Sequence, residues 1–263
     1  MMDALTFEIQ PLAKVLRKQD LGAGAGLAAQ IYELLRRRII DLSLPPEMPL
    51  AEQDVANLLQ ASKTPVREAM IRLSREGLVA VVPKSGSYVT PINIERYLQA
   101  CFVRVQLEVG CVRRLASLPL GLEDVTRLRA VLAEQKKALQ DKDDARFFAL
   151  DEKFHHSLFQ MAGLPSVWET LNASKAELDR VRHLKRLFGV RRSAHVIREH
   201  GEIIDAIAAR NPELAEKTLV AHIGGIDDEI ARMSEHPQLI KSIDDLNRLV
   251  ALNRKTRNKR KLA

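Results

Sequence analysis

A single pair of β-rich runs interrupts a chain whose pattern is otherwise helical. The runs cover 78–82 and 87–90, and the intervening Pro83-Lys84-Ser85-Gly86 is typical of a tight turn. Three helix-length segments with helical spacing of apolar residues precede this pair, between residues 27 and 76. Three short helices followed by a β-hairpin predict a winged helix-turn-helix, whose last helix enters the major groove of DNA.

The rest of the chain has the composition of packed helices. Hydrophobic residues make up 46% of the 263 residues, which is enough to give two domains a core each, whereas aromatic residues make up only 4%. After Pro91 the long segments stay helical in pattern, with breaks near prolines and glycines. We therefore predict a mainly α protein, with an N-terminal winged helix-turn-helix and a C-terminal all-helical bundle.

This pattern divides the chain into four segments. We predict a flexible N-terminal arm over 1–26, which ends in the glycine-alanine run 22–26. The predicted DNA-binding domain covers 27–91, and the predicted helical effector-binding and dimerisation domain covers 95–232. Residues 233–263 form a predicted extension with a basic tail.

The positive charge of the chain is concentrated in that tail. The formal net charge is +7, and the tail supplies six cationic side chains: Arg254, Lys255, Arg257, Lys259, Arg260 and Lys261. The remainder is nearly neutral, so overall basicity does not by itself indicate a nucleic-acid partner.

Two features predict a soluble, cytoplasmic protein with no membrane partner. No apolar run approaches the roughly 20 residues needed to span a bilayer, and residues 1–6 lack a basic segment leading into an apolar one. Cys101 and Cys111 fall in one helix-like stretch, where they would lie about 15 Å apart, too far for a disulfide. Free cysteines suit a reducing cytosol.

Residues that commonly contact DNA cluster on the predicted reading elements. The apolar stripe from Val66 to Leu73 predicts the face of the third helix that packs inward. Its opposite face carries side chains that reach phosphates and guanine edges. The predicted DNA contacts are Lys63, Thr64 and Arg67 on this helix, and Lys84, Ser85 and Gly86 at the hairpin tip.

The whole module resembles the signature of GntR-family bacterial transcription regulators. The residues that carry the resemblance are Ser62-Lys63-Thr64-Pro65-Val66-Arg67-Glu68-Ala69, Arg72-Leu73, Glu76-Gly77-Leu78-Val79 and Gly86. It implies a DNA-binding regulator rather than an enzyme. Many relatives have an arginine where Gln53 follows Glu52, and some have an arginine in place of Lys63, so we expect a weaker or shifted contact at Gln53 and an operator that differs from theirs.

Four residues further along have side chains that bind metals. Asp151 and His155 are four apart on a helical pattern and so share a face, while His200 and His222 lie within apolar stripes that face inward. One histidine of this kind is more often a buried, hydrogen-bonded residue than a ligand. One carboxylate with three imidazoles suits zinc, nickel, manganese or iron, although spacing alone does not show that the helices converge.

These positions are similar to the pattern of the FCD ligand-binding domain, found in the FadR-like branch of the GntR family. The matching motifs, within about residues 95–232, are Arg104-Val105-Gln106-Leu107-Glu108, Asp151-x-x-Phe154-His155, Glu199-His200 and Ala221-His222. The resemblance implies one divalent metal ion per chain, zinc before nickel, manganese or iron, with Asp151, His155, His200 and His222 as ligands. It also implies a small carboxylate effector that completes the coordination and contacts Arg104.

Together these features predict a homodimer that binds a short palindromic operator in double-stranded DNA and senses a small organic acid. Two alternatives remain at this point. In one, the helical domain is a dimerisation scaffold without a ligand. In the other, the protein is a metal-dependent enzyme, although no arrangement such as His-Glu-x-x-His supplies a general base.

Overall fold

The computed structural model describes residues 10–23, 26–82, 86–188 and 193–248. The N-terminal elements are α1 (Leu12–Val15), a 3-10 turn (Lys18–Asp20), α2 (Leu27–Ile40), α3 (Glu52–Leu59), α4 (Lys63–Arg75), β1 (Val79–Val82) and β2 (Gly86–Val89). The remaining helices are α5 (Ile94–Ser117), α6 (Leu122–Gln140), α7 (Asp144–Met161), α8 (Pro165–Ser174), α9 (Ala176–Leu187), α10 (Ser193–Ala208), α11 (Pro212–Ile223), α12 (Ile226–Ser234) and α13 (237–248). The predicted mainly α fold is confirmed.

The described residues form two compact units. The first contains 10–97, 176–188 and 233–248, and the second contains 98–175 and 193–232. This division differs from the predicted continuous helical domain, because α9 and α13 pack with the N-terminal elements. An amphipathic pattern shows that a helix has a buried face but does not show which neighbour covers it.

The first unit contains the predicted winged helix-turn-helix. Helices α2, α3 and α4 share one apolar core, and the predicted inward stripe of α4 from Val66 to Leu73 is buried. Strands β1 and β2 pair antiparallel, from Val79 opposite Val89 to Val82 opposite Gly86. Gly86 has a φ of +113°, a conformation that favours glycine, at the point where the hairpin returns.

The segment before α2 corrects the prediction of a flexible arm. Val15 and Leu16 are buried in the core of the first unit, and Leu12 and Leu21 pack against the same core. These apolar side chains anchor residues 10–23, which the glycine-rich composition downstream of them did not indicate. The other parts of the predicted arm, 1–9 and 24–25, lie outside the described residues.

Helix α9 is fixed to the first unit by a buried arginine. The guanidinium of Arg180 is fully buried and donates through Nη2 to the carbonyl oxygen of Thr90 at 2.9 Å. Its Nη1 lies 3.3 Å from Glu177 Oε1, and Asp179 on the same helix lies 3.7 Å from Arg36 Nη2 on α2. These contacts hold α9 against α2 and against the chain that leaves the hairpin.

The second unit is a helical bundle built on α6, α7, α10 and α11. Its core is aliphatic and aromatic, with Phe154, Leu158, Ile203 and Leu219 at most 1% exposed. Cys111 belongs to this core, and Cys101 and Cys111 lie on one helix, α5, as thiols rather than as a disulfide, as predicted. Among the described helices, none has the length and apolar character to cross a membrane. The predicted basic tail begins beyond the last described residue.

Candidate metal centre and nucleic-acid interface

The second unit brings the four predicted ligands together. Asp151 and His155 project from α7, His200 from α10 and His222 from α11, and all four are buried. One donor atom from each residue lies within 4.8 Å of the others. His222 Nε2 lies 3.2 Å from His200 Nε2 and 3.3 Å from His155 Nε2, and His200 Nε2 lies 3.5 Å from Asp151 Oδ1.

Local sequence sets the position of each ligand-bearing helix. Asp143 is the N-cap of α7, and its side chain accepts from the backbone N–H of Arg146. Asp151 and His155, four residues apart, lie on the buried face of this helix. Phe154 stacks on the imidazole of His200 with ring centroids 3.9 Å apart. Helix α11 begins with an Asn-Pro cap and ends soon after His222, so this ligand lies in its last turn.

Each imidazole is oriented by an oxygen atom on its far side. His155 Nδ1 lies 2.6 Å from Glu108 Oε2, and His222 Nδ1 lies 2.9 Å from Glu199 Oε2. His200 Nδ1 lies 2.9 Å from Gln135 Oε1. An oxygen acceptor at Nδ1 favours the tautomer with its proton there, so the Nε2 lone pair of each ring faces the cluster.

Sequence reasoning did not assign a role to these three orienting residues. Glu108 and Glu199 stand inside the motifs that resemble the FCD domain, so they were quoted there without a function. The rule that a ligating histidine pairs its second nitrogen with a carboxylate or carbonyl gives a reason to look for them. Gln135 on α6 carries no such signal, because its part in the site follows from the packing of α6 against α10.

The donor set fits a divalent metal ion. Metal–nitrogen bonds of about 2.0 to 2.1 Å place neighbouring ligand nitrogens about 3 to 3.4 Å apart, and the two short Nε2–Nε2 distances here are 3.2 and 3.3 Å. With the protons on Nδ1, three lone pairs face one another inside a buried space. A cation at their centre would relieve that repulsion and would take the carboxylate of Asp151 as its fourth ligand.

Burial favours the neutral form of two of the three imidazoles. Desolvation of the charged form holds the pKa of His200 well below its ordinary value, and it also lowers the pKa of His222. Burial alone would raise the pKa of Glu108, but the charge of Arg104 and the hydrogen bonds from Arg104 and His155 outweigh it and lower that pKa. The lowered pKa values favour neutral imidazoles at His200 and His222, and the lowered pKa of Glu108 favours its carboxylate form.

Arg104 places a positive charge at the edge of the cluster. Its Nε donates to Glu108 Oε1 at 2.7 Å, and its Nη2 lies 3.0 Å from His155 Nε2, the nitrogen that faces the other imidazoles. The side chain is mostly buried. A buried guanidinium beside a metal-ligand cluster suits an anion that binds both. The neighbouring His156 stacks on the ring of Trp168, with ring centroids 5.0 Å apart.

The described DNA-contact candidates lie on the first unit. Lys63, Thr64 and Arg67 are exposed on the first turns of α4, and Arg67 Nη2 lies 3.0 Å from Glu52 Oε2 on α3. Gln53 is exposed on α3 and donates through Nε2 to Asn57 Oδ1 at 2.8 Å. Gly86 is exposed at the start of β2. Lys84 and Ser85 lie outside the described residues.

The architecture of the chain is that of a DNA-binding transcription regulator with an effector-binding domain. The family model described as "Bacterial regulatory proteins, gntR family" matches residues 27–89, and the model described as "FCD domain" matches residues 99–225. The chain belongs to the GntR family of bacterial regulators, in its FadR-like branch with an FCD domain.

Two relatives match over most of their length. The chain is 38% identical to an HTH-type transcriptional regulator in an unstable DNA locus of Streptomyces ambofaciens, over 80% of this chain and 87% of that protein. It is 32% identical to the HTH-type transcriptional repressor RspR of Escherichia coli K12, over 78% of this chain and 90% of that protein. These relatives are transcription regulators and not enzymes, which agrees with the prediction.

Solved structures show the same fold. E. coli McbR/YncC superposes with a TM-score of 0.63 at 22% identity, covering 81% of this chain and 99% of that chain. A GntR-type regulator from Rhodococcus sp. RHA1 gives a TM-score of 0.63 at 23% identity, covering 80% of this chain and 98% of that chain.

Proposed function

We propose that this protein is a metal-dependent acid sensor that controls transcription. It acts as a homodimer, whose two winged modules bind the half-sites of a short palindromic operator, in the cytoplasm where bacterial DNA lies. One observation supports the proposed metal and acid binding. Four buried side chains lie close together, with an oxygen acceptor at the Nδ1 atom of each imidazole: Asp151, His155, His200 and His222.

The metal would be held by those four side chains. Zinc is the first choice for a set of three imidazoles and one carboxylate, with nickel, manganese or iron as alternatives. The bound ion supplies positive charge and open coordination positions for a carboxylate. Glu108, Gln135 and Glu199 keep the three rings turned toward it.

The effector is proposed to be a small organic acid. Arg104 offers its guanidinium on the metal-facing side of His155, where a carboxylate bound to the metal would also accept from Nη2. The acid controls DNA binding only if it has different affinities for the DNA-competent and DNA-incompetent arrangements of the dimer. A carboxylate held by both a cation and Arg104 gives a large interaction energy from which such a difference can arise.

The DNA contacts are proposed to be made by α3, α4 and the hairpin tip. Lys63, Thr64 and Arg67 are exposed on the first turns of α4, the part of a recognition helix that reaches base edges. Gln53 on α3 and Gly86 on β2 extend this surface, and Lys84 and Ser85 complete the predicted tip.

Elemental analysis of protein purified without chelators tests the metal site. We expect close to one divalent ion per chain in the wild type and its loss in the Asp151→Ala and His200→Ala variants. His195→Ala is the matched control, because His195 is exposed on the same helix as His200. Full metal content in both ligand variants would refute the site, and a metal-free wild type that still binds DNA would favour a helical domain without a ligand.

Selection of binding sites from random DNA, followed by titration, tests the proposed binding of a dimer to a palindromic operator. Binding sites selected from random duplexes should contain an inverted repeat, and sedimentation should show a dimer at micromolar concentration. Arg67→Ala should weaken binding to the selected site by more than it weakens binding to a random duplex. Equal losses on both duplexes would mean that Arg67 contacts only phosphates.

A further inference from the structure

The segment before α2 presents three cations on an anchored backbone. Val15 and Leu16 are only 5% and 1% exposed, because they insert into the core of the first unit. The buried pair is flanked by Lys14 on one side and by Arg17 and Lys18 on the other, and all three cations are exposed. The cations are therefore displayed at fixed backbone positions, unlike those of a loose tail.

Their position is beside the turn of the helix-turn-helix. Lys18 Nζ donates to Gln60 Oε1 at 3.1 Å. Gln60 ends α3 with a φ of 52°, and Ser62, two residues later, is the N-cap of α4. The segment thus lies next to the N-terminal end of α4, the end that a docked recognition helix presents to DNA. Phosphates that flank the bases contacted by α4 come within reach of long cationic side chains there.

An open cleft runs between this segment and α3. Its lining includes the cations of Arg17 and Lys18, the side-chain amides of Gln19 and Gln60, and an apolar floor from Leu16 and Leu58. Cationic and amide donors along a shallow surface are the groups that commonly contact DNA phosphates. The apolar floor supports the aliphatic stems of the long side chains.

The segment keeps a surplus of positive charge. Its acidic residue Asp20 lies 3.8 Å from Arg17 Nε through Oδ2, and the same oxygen lies 3.4 Å from Arg38 Nη2 on α2. Asp20 is therefore shared with α2 and offsets Arg17 only in part. Within the described part of the chain, neither Lys14 nor Lys18 forms an ion pair.

We propose that Lys14, Arg17 and Lys18 form a third DNA contact, in addition to α4 and the hairpin. It binds phosphates beside the operator bases without reading sequence. The inference rests on the DNA binding proposed above. Each phosphate that a cation neutralises adds about 0.9 to the slope of log affinity against log salt, so this contact has a measurable signature.

The test uses the full chain with Lys14→Gln, Arg17→Gln and Lys18→Gln combined. Its affinity for a 30-base-pair duplex of random sequence is measured by fluorescence anisotropy over a series of salt concentrations. We expect weaker binding at low salt and a slope smaller by about 2 to 3 per bound chain. On a duplex that carries the selected operator we expect the same loss, so that the ratio of specific to random affinity stays unchanged.

A matched control removes the same charge elsewhere. Lys136, Lys137 and Lys217 are exposed on α6 and α11 of the second unit, and their combined change to Gln should leave the slope within about 0.5 of wild type. Equal slopes for wild type and the N-terminal triple variant would overturn the proposal, as would equal changes in both triple variants. Circular dichroism confirms that each variant is folded. The double variant Lys14→Glu with Lys18→Glu leaves Arg17 in place and should bind the random duplex more weakly than the triple Gln variant does. A wild type that binds no duplex would instead refute DNA binding itself.

Discussion

Glu108 joins Arg104 to His155. One carboxylate oxygen, Oε1, accepts from Arg104 Nε at 2.7 Å, and the other, Oε2, lies 2.6 Å from His155 Nδ1. The ligand ring and the guanidinium beside the proposed effector position are therefore held by the same side chain. If the proposed metal and acid bind here, Glu108 is the side chain through which a change in the charge that Arg104 faces would reach His155.

Replacing Glu108 with Gln should weaken metal binding. The amide keeps the shape but loses the charge that orients and polarises His155, and outer partners of this kind are worth about 10- to 100-fold in metal affinity. The affinity for Zn²⁺ is measured by competition with a chelator of known strength. Glu202→Gln, an exposed carboxylate on α10, is the control and should bind as wild type does. Unchanged affinity in Glu108→Gln would show that packing alone orients His155.

Removing the metal should destabilise the second unit. An ion that binds only the folded state adds about 2.7 kcal/mol of stability when its concentration is 100 times its Kd. We expect EDTA to lower the Tm of the wild type by several degrees, and added Zn²⁺ to restore it. The Asp151→Ala variant should show no response to either. A wild-type Tm that EDTA does not change would argue that no metal is held in the folded chain.

Replacing Glu52 with Gln should increase sequence-independent DNA binding. Arg67 Nη2 lies 3.0 Å from the carboxylate of Glu52, which places a negative charge on the proposed DNA-binding surface. The variant frees the guanidinium and removes that charge, so affinity for a random duplex should rise roughly 2- to 5-fold, a range typical of one exposed ion pair. Anisotropy titrations measure it, with Glu213→Gln in the second unit as control. Weaker binding would mean that Glu52 positions Arg67 for its contact.

Replacing Arg180 with Met should destabilise the first unit strongly. The change removes the guanidinium that faces the buried carboxylate of Glu177 and takes the Arg180 donor from the carbonyl of Thr90. Loss of one partner of a buried pair costs about 3 to 5 kcal/mol in the free energy of unfolding. Urea unfolding of the full chain gives the value. The double variant Arg180→Met with Glu177→Met removes the unpaired charge and should recover part of the loss. A double variant less stable than the single one would contradict this account.

The structural features that the sequence predicted most clearly are those that depend on the local pattern of residue types. The hairpin follows from two β-rich runs around Pro83-Lys84-Ser85-Gly86, and the inward face of α4 follows from its apolar stripe. The four proposed metal ligands stood out because each is a metal-binding residue type at an inward position. That they meet was implied only by the family resemblance, because convergence depends on how three helices pack.

The features that sequence did not predict depend on contacts between distant segments. Gln135 orients His200 across 65 residues, and no motif marks it. Val15 and Leu16 anchor the N-terminal segment although they form too short an apolar run to predict a helix. Arg180 sits in a basic stretch of α9 that pattern alone assigns to a solvated face, yet the side chain is fully buried.

Because α9 packs with the N-terminal elements, the unit that contains the DNA-binding domain is not formed by one continuous stretch of the chain. A fragment that stops at residue 97 would lack Ala176, Val181 and Leu184, each at most 2% exposed, and would leave the carbonyl of Thr90 without Arg180. Such a truncation would expose apolar surface that the intact protein covers. A minimal DNA-binding fragment therefore has to carry α9 on an artificial linker. A polar substitution at Val181 or Leu184 is expected to destabilise the first unit, although both residues lie inside the match to the FCD domain.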